Sequence, residues 1–368
     1  MDDEPRCGGQ GEQPSHPGPG PDPDRRPRPR TCRRAREGRH RPGERSRTTD
    51  HPPSAPPHKM PPMQLRAVVT DLDNTLYPWV DYIVPSLEAM VASLVSTTGL
   101  PRIKIVQSLK AVYTQYDSNE YPFAIQKSEL FRPYERDFAS FNELVVLPAA
   151  RAFKEARRRY LRPYPGVPET LAALKERGVT VIALTDAPRN AVELRLKMLA
   201  LDGFFDAVYA LRGYVLPEDV DPGIRERDAA GHYRSQKTKV VELPRRAEKP
   251  SPAGLRRVLT DFGLSAGEVL YVGDNVKKDM PLAQVCGVLG AWAEYGTYIS
   301  AEYRERLAVI SAKSVTRRHV SDEVADPARR APPRRWPLAI SSFAQVLDIL
   351  DGARWSRPAP GHRRARTR

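Results

Sequence analysis

Two aspartates separated by one residue, Asp71 and Asp73, directly follow a short apolar stretch of the sequence. In an extended chain, side chains two positions apart point to the same side. Two carboxylates held so close together repel each other unless a cation or a shared proton relieves the repulsion. Aspartates after strands also form turns and helix N-caps, so the pair alone leaves both a structural and a chemical role open.

Further polar residues follow other apolar stretches and could complete a chemical site. Thr185 and Asp186 precede a predicted helix, whose first N–H groups can hold an anion. Asp274 and Asp279 add two carboxyl groups, and Lys249 stands just before another predicted helix. Carboxylates suit Mg²⁺, a lysine balances the charge of a phosphoryl group, and a hydroxyl donates a hydrogen bond to it. Brought together, these residues would form a phosphate and metal site.

The apolar stretches themselves predict strands of one parallel sheet. None alternates between polar and apolar residues, as expected of strands buried on both faces. The predicted strands are Ala67–Thr70, Val179–Leu184, Ala207–Leu211, Val269–Val272 and Val288–Trp292. The helical patterns between them are Pro168–Arg177, Arg189–Leu199 and Pro252–Phe262. This alternation predicts an α/β fold, a parallel Rossmann-like sheet with helices on both faces, and such sheets bind ligands beyond the carboxyl ends of their strands.

Two intervals depart from the alternation of strands and helices. Residues 80–162 hold only helical patterns, and about eighty residues exceed what one crossover needs, which predicts an inserted helical subdomain. Residues 212–247 form a polar insertion, whose turn signals at Asp221-Pro222-Gly223 and Gly231 are typical of a hairpin. The core is therefore predicted to comprise residues 63–79 and 163–312.

Both terminal segments are basic, whereas the middle of the chain is nearly neutral. Of the net charge of +14, residues 1–62 carry +4 and residues 313–368 carry +8, which leaves +2 for the rest. Residues 1–62 also hold 15 of the 37 prolines, which predicts a disordered Arg/Pro-rich leader. Residues 313–368 contain one helical pattern that could dock on the core. Basic tails can attract nucleic acid, but solvated extensions are the expectation here.

The cysteines and the hydropathy favour a cytoplasmic location without a membrane partner. The three cysteines form no metal-binding or disulfide pattern. No apolar stretch is long enough to span a membrane, and the first residues do not resemble a signal peptide.

Four segments resemble, in order and spacing, the four motifs of the haloacid dehalogenase-like hydrolase superfamily. They are Asp71-Leu72-Asp73-Asn74-Thr75, Leu184-Thr185, Lys249-Pro250 and Gly273-Asp274-Asn275-Val276-Lys277-Lys278-Asp279. The resemblance covers about residues 65–300, and residues 80–162 lie where that family carries an inserted helical cap. It implies a hydrolase with Mg²⁺ as its cofactor.

The resemblance also implies roles for the matched residues. Asp71 would be the nucleophile and a metal ligand. Asp73 would protonate the leaving oxygen and then activate water, while its backbone carbonyl contacts the metal. Thr185 and Lys249 would bind the phosphoryl group.

The remaining matched residues would complete the substrate and metal contacts. Asn74 and Asp186 would line the substrate site, although many family members carry asparagine where Asp186 stands. Asp274 would be a further metal ligand, and Asp279 would orient the lysine or complete the metal shell.

Asp73 decides between the chemistries of this superfamily. Expelling a halide needs no proton, whereas expelling an alkoxide does, so a second acid indicates phosphoryl transfer. The first motif resembles the branch that contains phosphoglycolate phosphatases and nucleotidases, which implies a small phosphorylated metabolite as substrate. The alternatives are a phosphomutase that uses the same two aspartates, and a non-enzymatic scaffold whose basic tails bind nucleic acid.

Other candidate residues carry weaker signals. Gly263-Leu264-Ser265-Ala266-Gly267 matches the GxSxG pattern of serine hydrolases, but a helix precedes it and a strand follows, the reverse of the required order. Between the first and last motifs the only histidine is His232. Arg132 and Arg189 are further candidates for substrate contacts.

Overall fold

The computed structural model describes residues 65–116, 118–134, 138–217, 222–231, 234–235, 237–311 and 338–352. The predicted leader, residues 1–62, lies outside the described residues. So do His232 and most of the basic segment 313–368.

Within the described residues, seven parallel strands form one sheet in the order β4-β3-β2-β1-β5-β6-β7. The strands are β1 (Ala67–Thr70), β2 (Thr180–Pro188), β3 (Ala207–Leu211), β4 (Val240–Leu243), β5 (Val269–Gly273), β6 (Leu289–Ala293) and β7 (Leu338–Ile340). The central strand β1 pairs with β2 on one side and with β5 on the other. The predicted α/β class with a parallel Rossmann-like sheet is confirmed.

Three features of the sheet differ from the sequence prediction. Strand β2 continues through Thr185 to Pro188 instead of ending at Leu184. The interval predicted as a hairpin holds a helix followed by β4, which pairs in parallel with β3. Strand β4 escaped prediction because it is a short edge strand within a mostly polar interval, and its Glu242 is exposed. Strand β7 escaped because it has only three residues.

Helices fill the interval between β1 and β2 and cover both faces of the sheet. The first four are α1 (Trp79–Thr98), α2 (Arg102–Gln115), α3 (Phe138–Phe141) and α4 (Leu147–Tyr160), with a π-helical turn at Asn142–Val146 before α4. The others are α5 (Val167–Glu176), α6 (Arg189–Met198), α7 (Pro222–Ala229), α8 (Ala253–Phe262), α9 (Asp279–Cys286), α10 (Ala301–Ile310) and α11 (Gln345–Leu350). We call residues 79–160 the helical insertion. Helix α1 packs against both α2 and α4.

Alternate residues of the strands face two separate hydrophobic cores. Val68 of β1 faces a core shared with α5, α6 and the helical insertion, whereas Val69 faces a core shared with α8 and α9. Both valines are fully buried. The sheet is thus covered on both faces, and polar side chains gather at its ends. No helix in the described ranges is both long and apolar enough to cross a membrane.

Candidate active site

A cavity of about 140 Å³ lies at the carboxyl ends of β1, β2 and β5. By the volume of liquid water, about 30 Å³ per molecule, it has room for four or five waters. The sheet and its loops contribute most of the wall, and the helical insertion contributes the rest. The lining residues are Asp71, Asp73, Asn74, Trp79, Ser118, Asn119, Glu120, Thr185, Asp186, Ala187, Pro188, Lys249, Asp274, Asn275 and Lys278.

Lys249 joins two buried carboxyl groups on the floor of the cavity. Its Nζ lies 2.9 Å from Oδ2 of Asp71 and 2.8 Å from Oδ1 of Asp279. Burial lowers the pKa of Lys249, but the carboxylates of Asp279 and Asp71 outweigh this effect, so the pKa lies well above its ordinary value. The lysine is therefore a fixed positive charge.

Asp71, one carboxyl group of this cluster, is hard to ionise. Burial raises its pKa from 3.8 to about 7, against the opposing effect of Lys249. The neighbouring carboxyl groups of Asp279 and Asp73 raise it further. An additional cation beside Asp71 would stabilise its ionised form.

Asp279 is completely buried and has both carboxyl oxygens engaged within the protein. Oδ1 accepts hydrogen bonds from Lys249 Nζ and from the hydroxyl of Tyr271, both at 2.8 Å, and Oδ2 accepts from the backbone N–H of Asn275 at 2.9 Å. Gly273 makes room for this side chain, because a Cβ there would lie 2.4 Å from Cγ of Asp279. The contacts are those of a residue that holds Lys249 in place.

A destabilising effect is expected when Asp279 is replaced by asparagine. Breaking a buried ion pair by removing one partner costs about 3–5 kcal/mol, and Asp279→Asn should lower the free energy of unfolding by about 3 kcal/mol. Chemical denaturation measures the change. Asp351→Asn, which removes an exposed partner of Arg177, is the matched control and should leave stability nearly unchanged. Equal stabilities of the two variants would contradict this account of Asp279.

The carboxyl groups fit a hard divalent cation. Oxygen atoms of Asp71, Asp274 and Asp279 lie within 4.8 Å of one another, and all three residues are buried. Asp274 is held by the hydroxyl of Thr75 at 3.3 Å, and its backbone carbonyl accepts a hydrogen bond from Trp292 Nε1 at 2.9 Å. Oxygen donors without cysteine or histidine in this cluster are the set that Mg²⁺ prefers.

Asp73 points toward a buried arginine that was not identified from the sequence. The guanidinium of Arg195, on α6, donates a hydrogen bond to Oδ1 of Asp73 and lies 3.3 Å from Oε2 of Glu120. Arg195 is only 1% exposed. One signal was available: Arg195 follows Val192 by three positions, so it occupies the apolar face of the helix. Glu120, in a loop of the helical insertion, gives no such signal.

Asn74 shapes the turn after β1. Its φ of 58° lies in the left-handed region, which asparagine tolerates, and its Oδ1 accepts a hydrogen bond from the backbone N–H of Trp79 at 3.0 Å. Gly296 packs directly against this turn, because a Cβ there would lie 1.7 Å from the carbonyl oxygen of Asn74. Asn74 lines the cavity, and its side chain satisfies the first backbone N–H of α1.

Thr185 and Asp186 also line the cavity, at the end of β2. The hydroxyl oxygen of Thr185, 2% exposed, accepts a hydrogen bond from Ala187 N at 3.1 Å. Asp186 accepts from the backbone N–H of Lys249 at 2.9 Å and from Lys278 Nζ at 2.5 Å. Asp186 thereby anchors the segment that carries Lys249.

The weaker sequence candidates lie elsewhere. Arg132 pairs with Glu129 at 2.6 Å and Arg189 pairs with Glu193 at 3.2 Å, and neither lines the cavity. Ser265 of the GxSxG pattern forms a capping box with Glu268, between α8 and β5. This position, after a helix and before a strand, agrees with the expectation that the match to the GxSxG pattern is accidental.

Comparison with known proteins identifies the family. A family model described as haloacid dehalogenase-like hydrolase matches residues 65–287. The chain belongs to this family. Every cavity-lining residue named above lies within the matched range.

Several known proteins resemble this haloacid dehalogenase-like hydrolase. The glyceraldehyde 3-phosphate phosphatase of Methanopyrus kandleri is 25% identical over 243 residues, covering 65% of this chain and 88% of that protein. The phosphoglycolate phosphatase of Neisseria gonorrhoeae is 26% identical over 238 residues, covering 63% and 81%. The crystal structure of a 2-haloacid dehalogenase from Pseudomonas syringae pv. tomato aligns with a TM-score of 0.44 and 17% identity, covering 78% of this chain and 99% of that one.

Proposed function

We propose that this hydrolase is a Mg²⁺-dependent phosphatase that hydrolyses a small phosphomonoester through a phosphoryl group carried on Asp71. The observation that carries the proposal is the position of Asp71, Asp73, Thr185 and Lys249 around one cavity at the carboxyl edge of the sheet. The related proteins described as phosphatases of glyceraldehyde 3-phosphate and phosphoglycolate support the same reaction class.

In the first half of the reaction the phosphoryl group moves from the substrate to the enzyme. A carboxylate oxygen of Asp71 attacks phosphorus, and the bond between phosphorus and the leaving oxygen breaks. Asp73 gives its proton to that oxygen, which leaves as an alcohol. Lys249 and the hydroxyl of Thr185 hold the phosphoryl oxygens, and the fixed charge of Lys249 offsets the negative charge that accumulates there.

In the second half the enzyme is restored. Asp73, now ionised, takes a proton from a water molecule as the water attacks phosphorus. The bond between phosphorus and Asp71 breaks, and inorganic phosphate leaves. The same carboxyl group therefore acts first as an acid and then as a base.

The residues that would hold Mg²⁺ are Asp71, Asp274 and the backbone carbonyl of Asp73. A bound cation supplies charge stabilisation for the phosphoryl oxygens. Its positive charge would also favour the ionised form of Asp71, whose pKa is raised by burial and by neighbouring carboxyl groups. Asp279 was a candidate ligand, but both of its oxygens accept hydrogen bonds within the protein. We assign it the role of positioning Lys249.

The helical insertion is proposed to act as the cap that selects the substrate, with residues 63–79 and 163–312 as the catalytic core. Trp79, Ser118, Asn119 and Glu120 form its part of the cavity wall.

A panel of phosphomonoesters assayed with Mg²⁺ tests the proposed function. It should include phosphoglycolate, glyceraldehyde 3-phosphate, a hexose phosphate, a nucleoside monophosphate and p-nitrophenyl phosphate, with phosphate release as the readout. Chromatography of the hexose phosphate products separates hydrolysis from transfer to a second hydroxyl. A 2-haloacid serves as the control for halide release. Release of halide without release of phosphate would overturn the proposal.

Removal of the metal is expected to lower turnover by at least about a hundredfold, since a bound cation supplies several kcal/mol of charge stabilisation. Dialysis against a chelator followed by addition of Mg²⁺ measures the loss and its recovery. Full activity in protein that elemental analysis shows to be free of metal would contradict the expectation.

Mg²⁺ should also stabilise the folded protein, and more strongly near pH 8 than near pH 5. The pKa of Asp71 is about 7 in the folded protein and ordinarily 3.8. At pH values between 3.8 and about 7, Asp71 is protonated in the folded protein, so Mg²⁺ must displace a proton when it binds. At pH values above about 7, Asp71 is already ionised and no proton has to leave. Thermal melting with and without Mg²⁺ at both pH values measures this stabilisation. The Asp71→Asn variant should lose most of the pH dependence of the stabilisation by Mg²⁺.

A further inference from the structure

Arg195 is a buried cation with two carboxylate partners from different parts of the fold. Its Nη1 donates to Oδ1 of Asp73 on the loop after β1, and its Nη2 lies 3.3 Å from Oε2 of Glu120 in the helical insertion. Its Nε donates to the backbone carbonyl of Ala191 at 3.1 Å, and its guanidinium lies 5.7 Å from the centre of the Tyr77 ring. The guanidinium is thus held on several sides.

Glu120 is fixed in turn by the first helix of the insertion. The indole Nε1 of Trp79 donates to Oε2 of Glu120 at 3.2 Å, and the hydroxyl of Tyr82 donates to Oε1 at 2.9 Å. The Glu120 side chain is 12% exposed and lines the cavity. Each of its two oxygens therefore has a neutral donor from α1 in addition to the charge of Arg195.

The placement of these groups favours a functional role over a purely structural one. A buried guanidinium is costly, and an ion pair inside a protein is often no more stabilising than apolar residues of the same volume. Here the cation lies behind the cavity wall, and both of its carboxylate partners, Asp73 and Glu120, face the cavity. The positive charge of Arg195 therefore acts on two carboxylates, those of Asp73 and Glu120, that would contact the substrate.

We propose that Arg195 is a positioning residue for Asp73 and that Glu120 anchors Arg195 from the helical insertion. The inference rests on the proposed acid–base role of Asp73. Oδ1 of Asp73 is held by Arg195, which fixes the orientation of the carboxyl group relative to the leaving oxygen. Because Glu120 belongs to the insertion, the orientation of Asp73 depends on contacts from both parts of the fold.

The test compares phenyl phosphate with p-nitrophenyl phosphate, two substrates of similar shape. The phenolate leaving group needs a proton, whereas p-nitrophenolate leaves readily without one. The values of kcat/KM report the step that forms the phosphoryl-enzyme, and acid quench followed by intact mass measurement reports how much phosphoryl-enzyme accumulates. The variants are Arg195→Met, Arg195→Lys and Glu120→Gln, with Arg306→Lys as a matched control in a pair with Glu88 outside the cavity.

A misplaced catalytic group can cost about a hundredfold in rate, so Arg195→Met should lower kcat/KM for phenyl phosphate by about ten- to a hundredfold. The loss for p-nitrophenyl phosphate should be clearly smaller, and phosphoryl-enzyme should accumulate because hydrolysis still needs the base. Arg195→Lys should recover part of the rate, and Glu120→Gln should show a weaker defect in the same direction. Arg306→Lys should match the wild type with both substrates.

Equal losses with the two substrates, accompanied by a lower melting temperature, would show a structural role alone and overturn the proposal. If Arg195→Met does not fold, the same comparison is made with Arg195→Lys and Glu120→Gln: their losses in kcat/KM for phenyl phosphate are compared with their losses for p-nitrophenyl phosphate. A wild-type protein that releases no phosphate from any phosphomonoester of the panel in Mg²⁺ would instead remove the phosphatase function itself, and the inference with it.

Discussion

Replacement of Asp71 by asparagine is expected to abolish both turnover and formation of the phosphoryl-enzyme. The amide has nearly the same shape as the carboxylate but is not a nucleophile toward phosphorus, so the first bond cannot form. Loss of the nucleophile from a covalent catalyst typically costs about six powers of ten in kcat. Phosphate release and intact mass after acid quench measure the two effects.

The Asp71→Asn protein should remain folded, which separates a chemical loss from a structural one. Lys249 keeps its contact with Asp279. Asparagine at position 71 carries no charge, so the cost of burying an ionised carboxyl group there is removed. Thermal melting verifies this. A covalent label on a serine or histidine of the wild type, or undiminished turnover of Asp71→Asn, would contradict the assignment of the nucleophile.

Replacement of Asp73 by asparagine should slow turnover by about two to four powers of ten, the usual contribution of general acid–base catalysis. The asparagine cannot give a proton to the leaving oxygen, and it cannot take one from water. Phosphoryl-enzyme should therefore form from a substrate with a good leaving group, such as p-nitrophenyl phosphate, and then persist. Rapid mixing, acid quench and intact mass measure its rise and decay.

The same variant distinguishes the two half-reactions. The kcat/KM for p-nitrophenyl phosphate should fall less than the kcat/KM for an alkyl phosphate, since only the latter requires the acid. The variant must be shown to fold, because Arg195 loses one of its two carboxylate partners. Equal losses with both substrates and no accumulated phosphoryl-enzyme would contradict the acid–base assignment.

Residues that directly follow buried strands could be predicted from the sequence. Asp71 and Asp274 stand next to apolar stretches whose pattern requires them to be parallel strands, and parallel strands bring their carboxyl ends to one edge. Lys249 gives no signal of its own, since no predicted strand directly precedes it, and it was a candidate only together with the other residues and through the family resemblance. The structure brings all three to one cavity.

Contacts that depend on tertiary packing could not be predicted. Arg195 lies 122 positions from Asp73 in the sequence, and their contact depends on how α6 packs against the sheet. Glu120 lies in a loop without periodicity. The need for glycine at position 296 arises only from the close approach of the carbonyl oxygen of Asn74. The family resemblance implied that Asp186 lines the substrate site. In the structure Asp186 lines the cavity, and its carboxylate also accepts hydrogen bonds from the backbone N–H of Lys249 and from Nζ of Lys278, which depend on packing.

The central position of β1 has a consequence for how the protein acquires activity. Ala67 pairs with Thr180 on one side and with Val269 on the other, so two loops of more than one hundred residues must close before β1 is enclosed. Closing such loops lowers the entropy of the chain before any stabilising contact forms. Pairing of parallel strands that are distant in the sequence is therefore slow. Helical content of the insertion, which depends on nearer contacts, would return first during refolding. Catalysis would return last, since Asp71, Lys249 and Asp274 meet only when the sheet is complete.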